Sequence, residues 1–329
     1  MARIGVIGGG AFGTAMACVV RRSGHEVLLW AREPEVVAQI NGDGINQMFL
    51  PGVRIAPGIR ATAQLADGVS GMDFVLMAVP AQHLRSVALL MQPLLHPGTP
   101  VITCSKGIER ASCALMPEVV RATLPQASVA VLSGPSFARE IANDLPCGVA
   151  LACANNETAY QVSGALRNPR FCVHPTEDVV GVALGGVMKN VIAIASGIAA
   201  GRKLGENARA TVITLGLGET LRLGVAMGAR AATFLGLAGA GDMMLTANSL
   251  QSRNTSLGVA LGEGRKAAEV LGARKEVTEG ALSAEAIAMV ARRLGVHMPI
   301  AEAVDQVLNH GAGIDAAITK LLAHPQEPD

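Results

Sequence analysis

The stretch that most constrains this chain lies at its start. Arg3–Ile7 is a short apolar run with strand character, and Gly8-Gly9-Gly10-Ala11-Phe12-Gly13 follows it. Thr14–Arg22 then has helical spacing and stops at Ser23-Gly24, and Glu26–Trp30 reads as a second strand. A bare G-x-G-x-x-G is a weak signal, and a merely flexible glycine loop would match it. Placed between a strand and a helix, with another strand about twenty residues on, it specifies a βαβ dinucleotide-binding unit. In that setting Gly8 permits the tight turn, Gly10 lets backbone approach a pyrophosphate, and Gly13 lets the helix pack close to the sheet. The N–H groups at the helix start then face the phosphates. After the second strand comes Ala31-Arg32-Glu33, so Arg32 stands near the position where an acidic residue would hold a ribose 2′-hydroxyl. Arg there accommodates a 2′-phosphate and favours NADP or dual use, while the adjacent Glu33 keeps NAD open. The alternative for Arg32 is an ordinary solvated charge.

The alternation continues through Phe74–Val79, Val101–Cys104, Val129–Leu132 and Val149–Cys153 as strands, with helical stretches such as Gln82–Leu90 and Ala114–Ala122 between them. This predicts a mostly parallel sheet covered on both faces. After about Val173 strand-like runs become scarce. Val179–Ala200, Ala208–Leu223, Thr255–Leu261, Ser283–Leu294, Ala301–Asn309 and Ile314–Ala323 are helix candidates, and the tail His324–Asp329 is expected to fray. The expected fold is therefore an α/β Rossmann-like dinucleotide-binding domain, residues 1–180, followed by an all-α domain, residues 181–329, holding the substrate.

A formal net charge of +1 without a Lys/Arg run leaves no electrostatic footprint for nucleic acid. Six cysteines without a C-x-x-C pair read as small buried hydrophobes in a reducing compartment. The immediate entry into a strand, with no apolar leader before it, points to a cytoplasmic location and no metal centre is indicated. Val179–Ala200 is apolar enough to suggest a membrane span, but Lys189 and Asn190 fall in its middle. A lysine near a bilayer centre costs roughly 2.5–3.5 kcal/mol, which favours a helix buried in protein and no stable membrane insertion.

Lysines are rarely buried without a partner or a task. On a helix Lys189 shares its face with Gly185, Gly186, Ala193 and Ser196, small residues that are expected to leave room for a substrate. Such a lysine, its pKa lowered by burial and by a second cation, can exchange a proton with an alcohol or ketone oxygen. Asn190 adds a hydrogen-bonding amide. Lys106, in Ser105-Lys106-Gly107 just after a strand, sits where α/β sheets gather ligands and is the candidate second cation. Gly236-Leu237-Ala238-Gly239-Ala240-Gly241-Asp242 is a glycine-rich turn ending in a carboxylate. Ser252-Arg253-Asn254 precedes a helix and reads either as an anion site or as a routine cap.

Taken together these segments resemble the bacterial NAD(P)-dependent sn-glycerol-3-phosphate dehydrogenases almost end to end. The resemblance extends to Ser133-Gly134-Pro135-Ser136-Phe137-Ala138, Leu184–Ala193, Gln251–Asn254 and Val277-Thr278-Glu279-Gly280. It implies reversible reduction of dihydroxyacetone phosphate to sn-glycerol 3-phosphate, feeding glycerophospholipid synthesis, by a homodimer. It implies Lys189 as general acid/base, with Lys106, Gly134, Ser136, Asn190, Asp242, Ser252, Arg253 and Asn254 around the substrate. Gly8, Gly10, Ala11, Phe12, Gly13, Arg32, Lys106, Ala138, Arg253, Val277 and Glu279 would meet NADP or NAD. Ala11 stands where many relatives have Ser, Ser136 where Thr is common, and Thr278 where Val or Ala is usual. Two other readings use parts of the same pattern. A related two-domain reductase of 2-ketoacids or 3-hydroxyacids would place Asn four residues after its lysine, where this chain has Ala193. A redox sensor that binds NAD(P) without turnover would need no buried lysine.

Overall fold

The computed structural model describes residues 1–273 and 277–323; the tail expected to fray lies outside them. The chain divides into two compact units, Met1–Lys106 with Ala114–Ala183, and Gly107–Cys113 with Leu184–Asp329.

The first unit is built on eight strands: β1 Arg3–Ile7, β2 Glu26–Trp30, β3 Arg60–Thr62, β4 Phe74–Met77, β5 Pro100–Thr103, β6 Ser128–Ser133, β7 Cys147–Cys153 and β8 Phe171–Thr176. Their order is β3-β2-β1-β4-β5-β6-β7-β8, and only the β6–β7 pairing is antiparallel. The order reverses between β1 and β4, which creates the crevice where such sheets bind dinucleotides. Side chains on a strand alternate between faces, and β4 shows why its sequence carries no polar alternation. Phe74 and Leu76 enter a core with Ile4, Val6 and the helix residues Ala15 and Val19. Val75 and Met77 enter the core on the opposite face with Ile7, Leu84, Met91 and Val119. A strand covered on both faces is apolar throughout, and each such side chain contributes roughly 1.5–3 kcal/mol of burial.

The expected α/β architecture is present, with additions. β3 has three residues and no apolar run, and β8 contains His174 and Pro175 and alternates buried with exposed positions. The first helix begins at Ala11, and a further helix, Pro34–Asp43, starts on a proline whose fixed φ suits a first turn.

Outside Gly107–Cys113, the regular elements described in the second unit are helices. Its principal helices are Val179–Gly201, which carries the division between the units, Glu206–Ala226, Asp242–Ala247, Arg253–Gly262, Glu279–Leu294, Pro299–Asn309 and Ile314–Ala323. Val179–Gly201 is long and apolar enough to cross a bilayer, yet 89% of its most apolar window is buried inside protein. The segment Gly107–Cys113, an excursion absent from the sequence reading, belongs to this unit. It is tied there by Arg110 Nη2 donating to Glu285 Oε2 at 2.6 Å. Two helices meet through glycine: a Cβ at Gly197 would lie 2.9 Å from Gly258 Cα, and one at Gly201 would lie 3.0 Å from Gly262 Cα. Only backbone fits between Val179–Gly201 and Arg253–Gly262 along this seam.

Candidate functional site

The glycine loop closes β1 and opens the helix Ala11–Arg22. Its three motif glycines are needed for three different reasons. Gly8 has φ +122°, and a Cβ there would sit 2.7 Å from the carbonyl oxygen of Ala78. At Gly13 a Cβ would lie 1.9 Å from Gly8 O, so the helix can descend onto the loop only without one. Gly10 has an unstrained φ of −67°, and a Cβ would meet nothing within 4 Å. The space beside Gly10 is thus open, as a cradle for pyrophosphate requires. The helix start has no side-chain cap and no acidic residue in its first turn, which leaves its N–H groups for an anion. The loop is held by a residue the sequence reading missed: buried Asn46 donates to Gly9 O and Thr14 Oγ1, both at 2.8 Å. Nothing in the residues around Asn46 announces that contact.

Arg32 follows β2 on the surface, its side chain 78% exposed, with Nη2 2.9 Å from Glu33 Oε1. Exposed pairs of this kind contribute about 0–1 kcal/mol, so a 2′-phosphate can draw Arg32 away at little cost. The two residues that suggest opposite cofactor preferences hold each other.

Near the carboxyl ends of β5 and β6, Lys106 Nζ donates to Gly134 O at 2.8 Å and Ser136 Oγ at 3.0 Å, and stands 5.9 Å over the Phe12 ring. Gly134 has φ +146° and abuts Val149, and its carbonyl also accepts from Ser136 Oγ at 2.7 Å. Ala138 opens the short helix Ala138–Ala142 beside them and is half-buried. Burial pushes the neighbouring Cys104 thiol up to about 12, against a weaker opposing effect from Lys106, so this cation does not activate that thiol.

In the helical unit Lys189 Nζ donates to Asp242 Oδ1 at 2.8 Å and to Thr246 Oγ1 at 3.0 Å. The lysine side chain keeps 11% exposure and Asp242 none. A carboxylate at that distance favours the ammonium form and opposes the effect of burial. On the Gly185 side, the room expected beside Lys189 is taken up by protein. A Cβ at Gly185 would lie 2.3 Å from Ala238 O, because the π-helical turn Leu237–Gly241 fills that side with its backbone. Gly239 in turn leaves room for Phe234, whose carbonyl oxygen would be 2.1 Å from a Cβ. Ser196 on the same helix face donates to Ala247 O at 3.0 Å. This face packs against segment 237–247 and leaves the lysine head at its edge. Asp242, placed around the substrate by resemblance, is spent on Lys189, with Thr246 Oγ1 3.3 Å from the same oxygen. Thr246 was missed, although its spacing of four from Asp242 puts both on one helix face.

Asn190 and Asn254 form a second buried set. Asn254 Nδ2 donates to Asn190 Oδ1 at 2.8 Å, Asn254 Oδ1 accepts from Gly280 N at 3.0 Å, and Asn190 Nδ2 donates to Gly186 O at 3.3 Å. This fastens the segment carrying half-buried Val277 and Glu279 to the Asn pair. Ser252 is the cap of Arg253–Gly262, its Oγ accepting from Thr255 N at 3.2 Å, and Arg253 is exposed at the first helical position. Thr255 Oγ1 donates to Thr246 O at 2.6 Å and links the Asn pair's helix to the lysine's partners. Among the described residues no cluster of three His, Cys, Asp or Glu could hold a metal.

Residues 3–159 match the N-terminus, and residues 178–319 the C-terminus, of the NAD-dependent glycerol-3-phosphate dehydrogenases. A glycerol-3-phosphate dehydrogenase [NAD(P)+] of Parvibaculum lavamentivorans is 47% identical over 98% of this chain and 97% of its own length. Its counterpart in Rhodospirillum rubrum is 49% identical over 98% and 92%. The crystal structure of glycerol-3-phosphate dehydrogenase from Coxiella burnetii superposes with a TM-score of 0.93 at 36% identity, covering 98% of this chain and 99% of that one. Glycine loop, lysine segment and end-to-end similarity agree: the chain belongs to the NAD-dependent glycerol-3-phosphate dehydrogenase family.

Proposed function

We propose that this protein interconverts dihydroxyacetone phosphate and sn-glycerol 3-phosphate, with Lys189 as the group that exchanges the proton. The observation that carries the reading is a lysine with 11% of its side chain exposed, held by Asp242 at 2.8 Å and Thr246 at 3.0 Å at the edge of an otherwise packed helix face. A nicotinamide cofactor held at the glycine loop would supply the hydride to the ketone carbon in reduction and accept it from the alcohol carbon in oxidation. In the reducing direction Lys189 gives its proton to the carbonyl oxygen as that oxygen gains charge, and Asp242 keeps the ammonium charged and aimed until then. In the oxidising direction the neutral amine takes the hydroxyl proton back.

The glycine loop with Ala11 and Phe12 fits the cofactor pyrophosphate, on the open flank of Gly10 and the uncapped helix start. Arg32 and Glu33 serve the 2′ position of NADP and NAD respectively, while Lys106 and Ala138 lie on the cofactor side. Gly134, Ser136 and Lys106 position the substrate's polar end. Exposed Arg253, next to the Asn190–Asn254 pair, is the cation for the substrate phosphate and also reaches the cofactor, as Val277 and Glu279 do. We place the enzyme in the cytoplasm as a homodimer that supplies glycerol backbones for phospholipids.

Loss of NADH or NADPH absorbance on adding dihydroxyacetone phosphate tests the reaction, and no oxidation with either cofactor overturns it. Lys189→Ala tests the role: turnover should fall by at least about a thousandfold while cofactor affinity is kept. Turnover that survives the substitution removes Lys189 from the chemistry.

A further inference from the structure

The helical unit contains a cavity of about 560 Å³ whose lining holds none of the residues assigned to the dehydrogenase chemistry. That volume falls in the range of small-molecule sites, about 300–1,000 Å³, whereas packed interiors leave few voids larger than a water. Ile198 and Ala199, on the helix that also carries Lys189, form one wall. Val304 and Val307 form another, and Ile314, Ile318 and Leu321 a third. Among the described residues no Phe, Tyr or Trp lines it.

Its shape follows from the helix Glu206–Ala226. Ala208, Val212, Leu215, Glu219 and Arg222 touch the cavity at spacings of three and four, so they form one stripe along the helix. From Ala208 to Arg222 that stripe is about 21 Å long at 1.5 Å per residue. The side chains of Glu219 and Arg222 stand at one end of it, while Thr211 near the other end donates its hydroxyl to Asn207 O at 2.8 Å. Glu219 is 1% exposed, and its two oxygens accept the N–H groups of Ile300 at 2.6 Å and Ala301 at 3.1 Å. That carboxyl is committed to starting the helix Pro299–Asn309. Arg222, three residues on, is exposed and donates from Nη2 to the carbonyl of His297 at 3.3 Å, which fixes a cation at this end. Apart from Thr211, the stripe toward the other end is aliphatic.

We propose that this cavity binds a single-chain aliphatic amphiphile with an anionic head, of the long-chain fatty-acid class, its chain along the Glu206–Ala226 stripe and its head beside Arg222. A lining of aliphatic side chains without Phe, Tyr or Trp among the described residues suits a flexible hydrocarbon chain better than a ring system. The exposed guanidinium at the polar end selects an anion over a cation, because the Glu219 carboxyl in the same lining is occupied by backbone donors.

The test is isothermal titration of the full chain with sodium dodecanoate below its micelle-forming concentration, with decanoate, octanoate, 1-dodecanol and dodecyltrimethylammonium as comparators. Saturable binding of one dodecanoate per chain is expected, weakening about fourfold for each methylene removed. Ala303→Phe, which fills the cavity, should abolish it. Arg222→Gln should weaken dodecanoate about tenfold and leave 1-dodecanol unchanged. Because Arg222 is exposed, that variant keeps the test alive should the filled cavity compromise folding. Non-saturating uptake, equal binding by Ala303→Phe, or equally tight binding of the cationic chain would each overturn the proposal. So would an assembly that dissociates in Ala303→Phe while dodecanoate fails to bind, since the cavity would then receive a second copy of the chain.

Discussion

Replacing Gly185 by alanine tests whether the turn Leu237–Gly241 holds the lysine's partner in place. The new Cβ would lie 2.3 Å from Ala238 O, and real Cβ atoms essentially never approach closer than 3.0 Å, so the turn must retreat by at least about 0.7 Å. Asp242 follows that turn directly, and its Oδ1 lies 2.8 Å from Lys189 Nζ. If the side chains do not follow, the pair stretches to about 3.5 Å, beyond a charge-assisted hydrogen bond. Misplacement by about 1 Å can cost about a hundredfold in rate, so a fall of about 30-fold in kcat/KM is expected. Stability should drop by about 1–3 kcal/mol from overpacking, offset by up to about 1 kcal/mol from removing a mid-helix glycine. Cofactor affinity should be unchanged, because no residue of the glycine loop is touched. Initial rates from nicotinamide absorbance, urea unfolding and a cofactor titration read the three quantities. An enzyme whose kcat/KM stays within about threefold of the parent would refute the idea that the turn sets the lysine.

Three further outcomes follow from the same structure. Gly10→Ala should leave stability within about 0.5 kcal/mol, because its Cβ meets no protein atom, yet weaken dinucleotide binding at least about tenfold; an unchanged Kd would mean the open flank is not the cofactor's. Asp242→Asn leaves a buried ammonium without its counter-charge. It should cost about 3 kcal/mol of stability and move the limb of the pH–rate profile assigned to Lys189 to lower pH, and an unmoved limb would detach the pair from the chemistry. Burial pushes the Glu219 carboxyl from an ordinary 4.5 up to about 7, against weaker opposing hydrogen bonds from Ile300 and Ala301. The folded chain therefore holds this proton more tightly than the unfolded one. This group's contribution should fall as pH rises from about 4.5 to about 7, by at most about 3 kcal/mol, and stay level above. Urea unfolding across that range, compared with Glu219→Gln, checks the sign: equal slopes for the two proteins would exclude Glu219 as the source.

How much of this was legible in the sequence depended on whether the cause was local. The glycine loop could be read because strand, turn and helix adjoin within twenty residues, and Gly13 answers to Gly8 O within the same turn. β4 could be recognised as a buried strand from its unbroken apolar run. β3 could not, since its three residues are recruited by β2 and carry no pattern of their own. Lys189 stood out as a charge in an apolar helix, but what surrounds it comes from a segment some fifty residues later. Spacing alone showed small residues at Gly185 and Ala193 and suggested vacancy, where the structure has the backbone of Ala238. Asn46, closing the glycine loop from a distance, had no local signal at all.

The glycine seam between Val179–Gly201 and Arg253–Gly262 gives the lysine helix a fixed phase. Asn190, Gly197 and Gly201 are seven and eleven residues apart, and at 100° per residue they fall within about 20° of one line. Asn190 meets Asn254 at one end of that line, and Gly197 and Gly201 meet Gly258 and Gly262 further along. One residue inserted between Asn190 and Gly197 would keep the helix apolar and buried in character, yet turn Lys189 by about 100° away from Asp242. Inserting seven would restore the angle and displace the lysine by about 10 Å along the axis. The helix therefore works as a ruler as well as a protractor, and its length between the amide and the first glycine can change by neither one residue nor two turns.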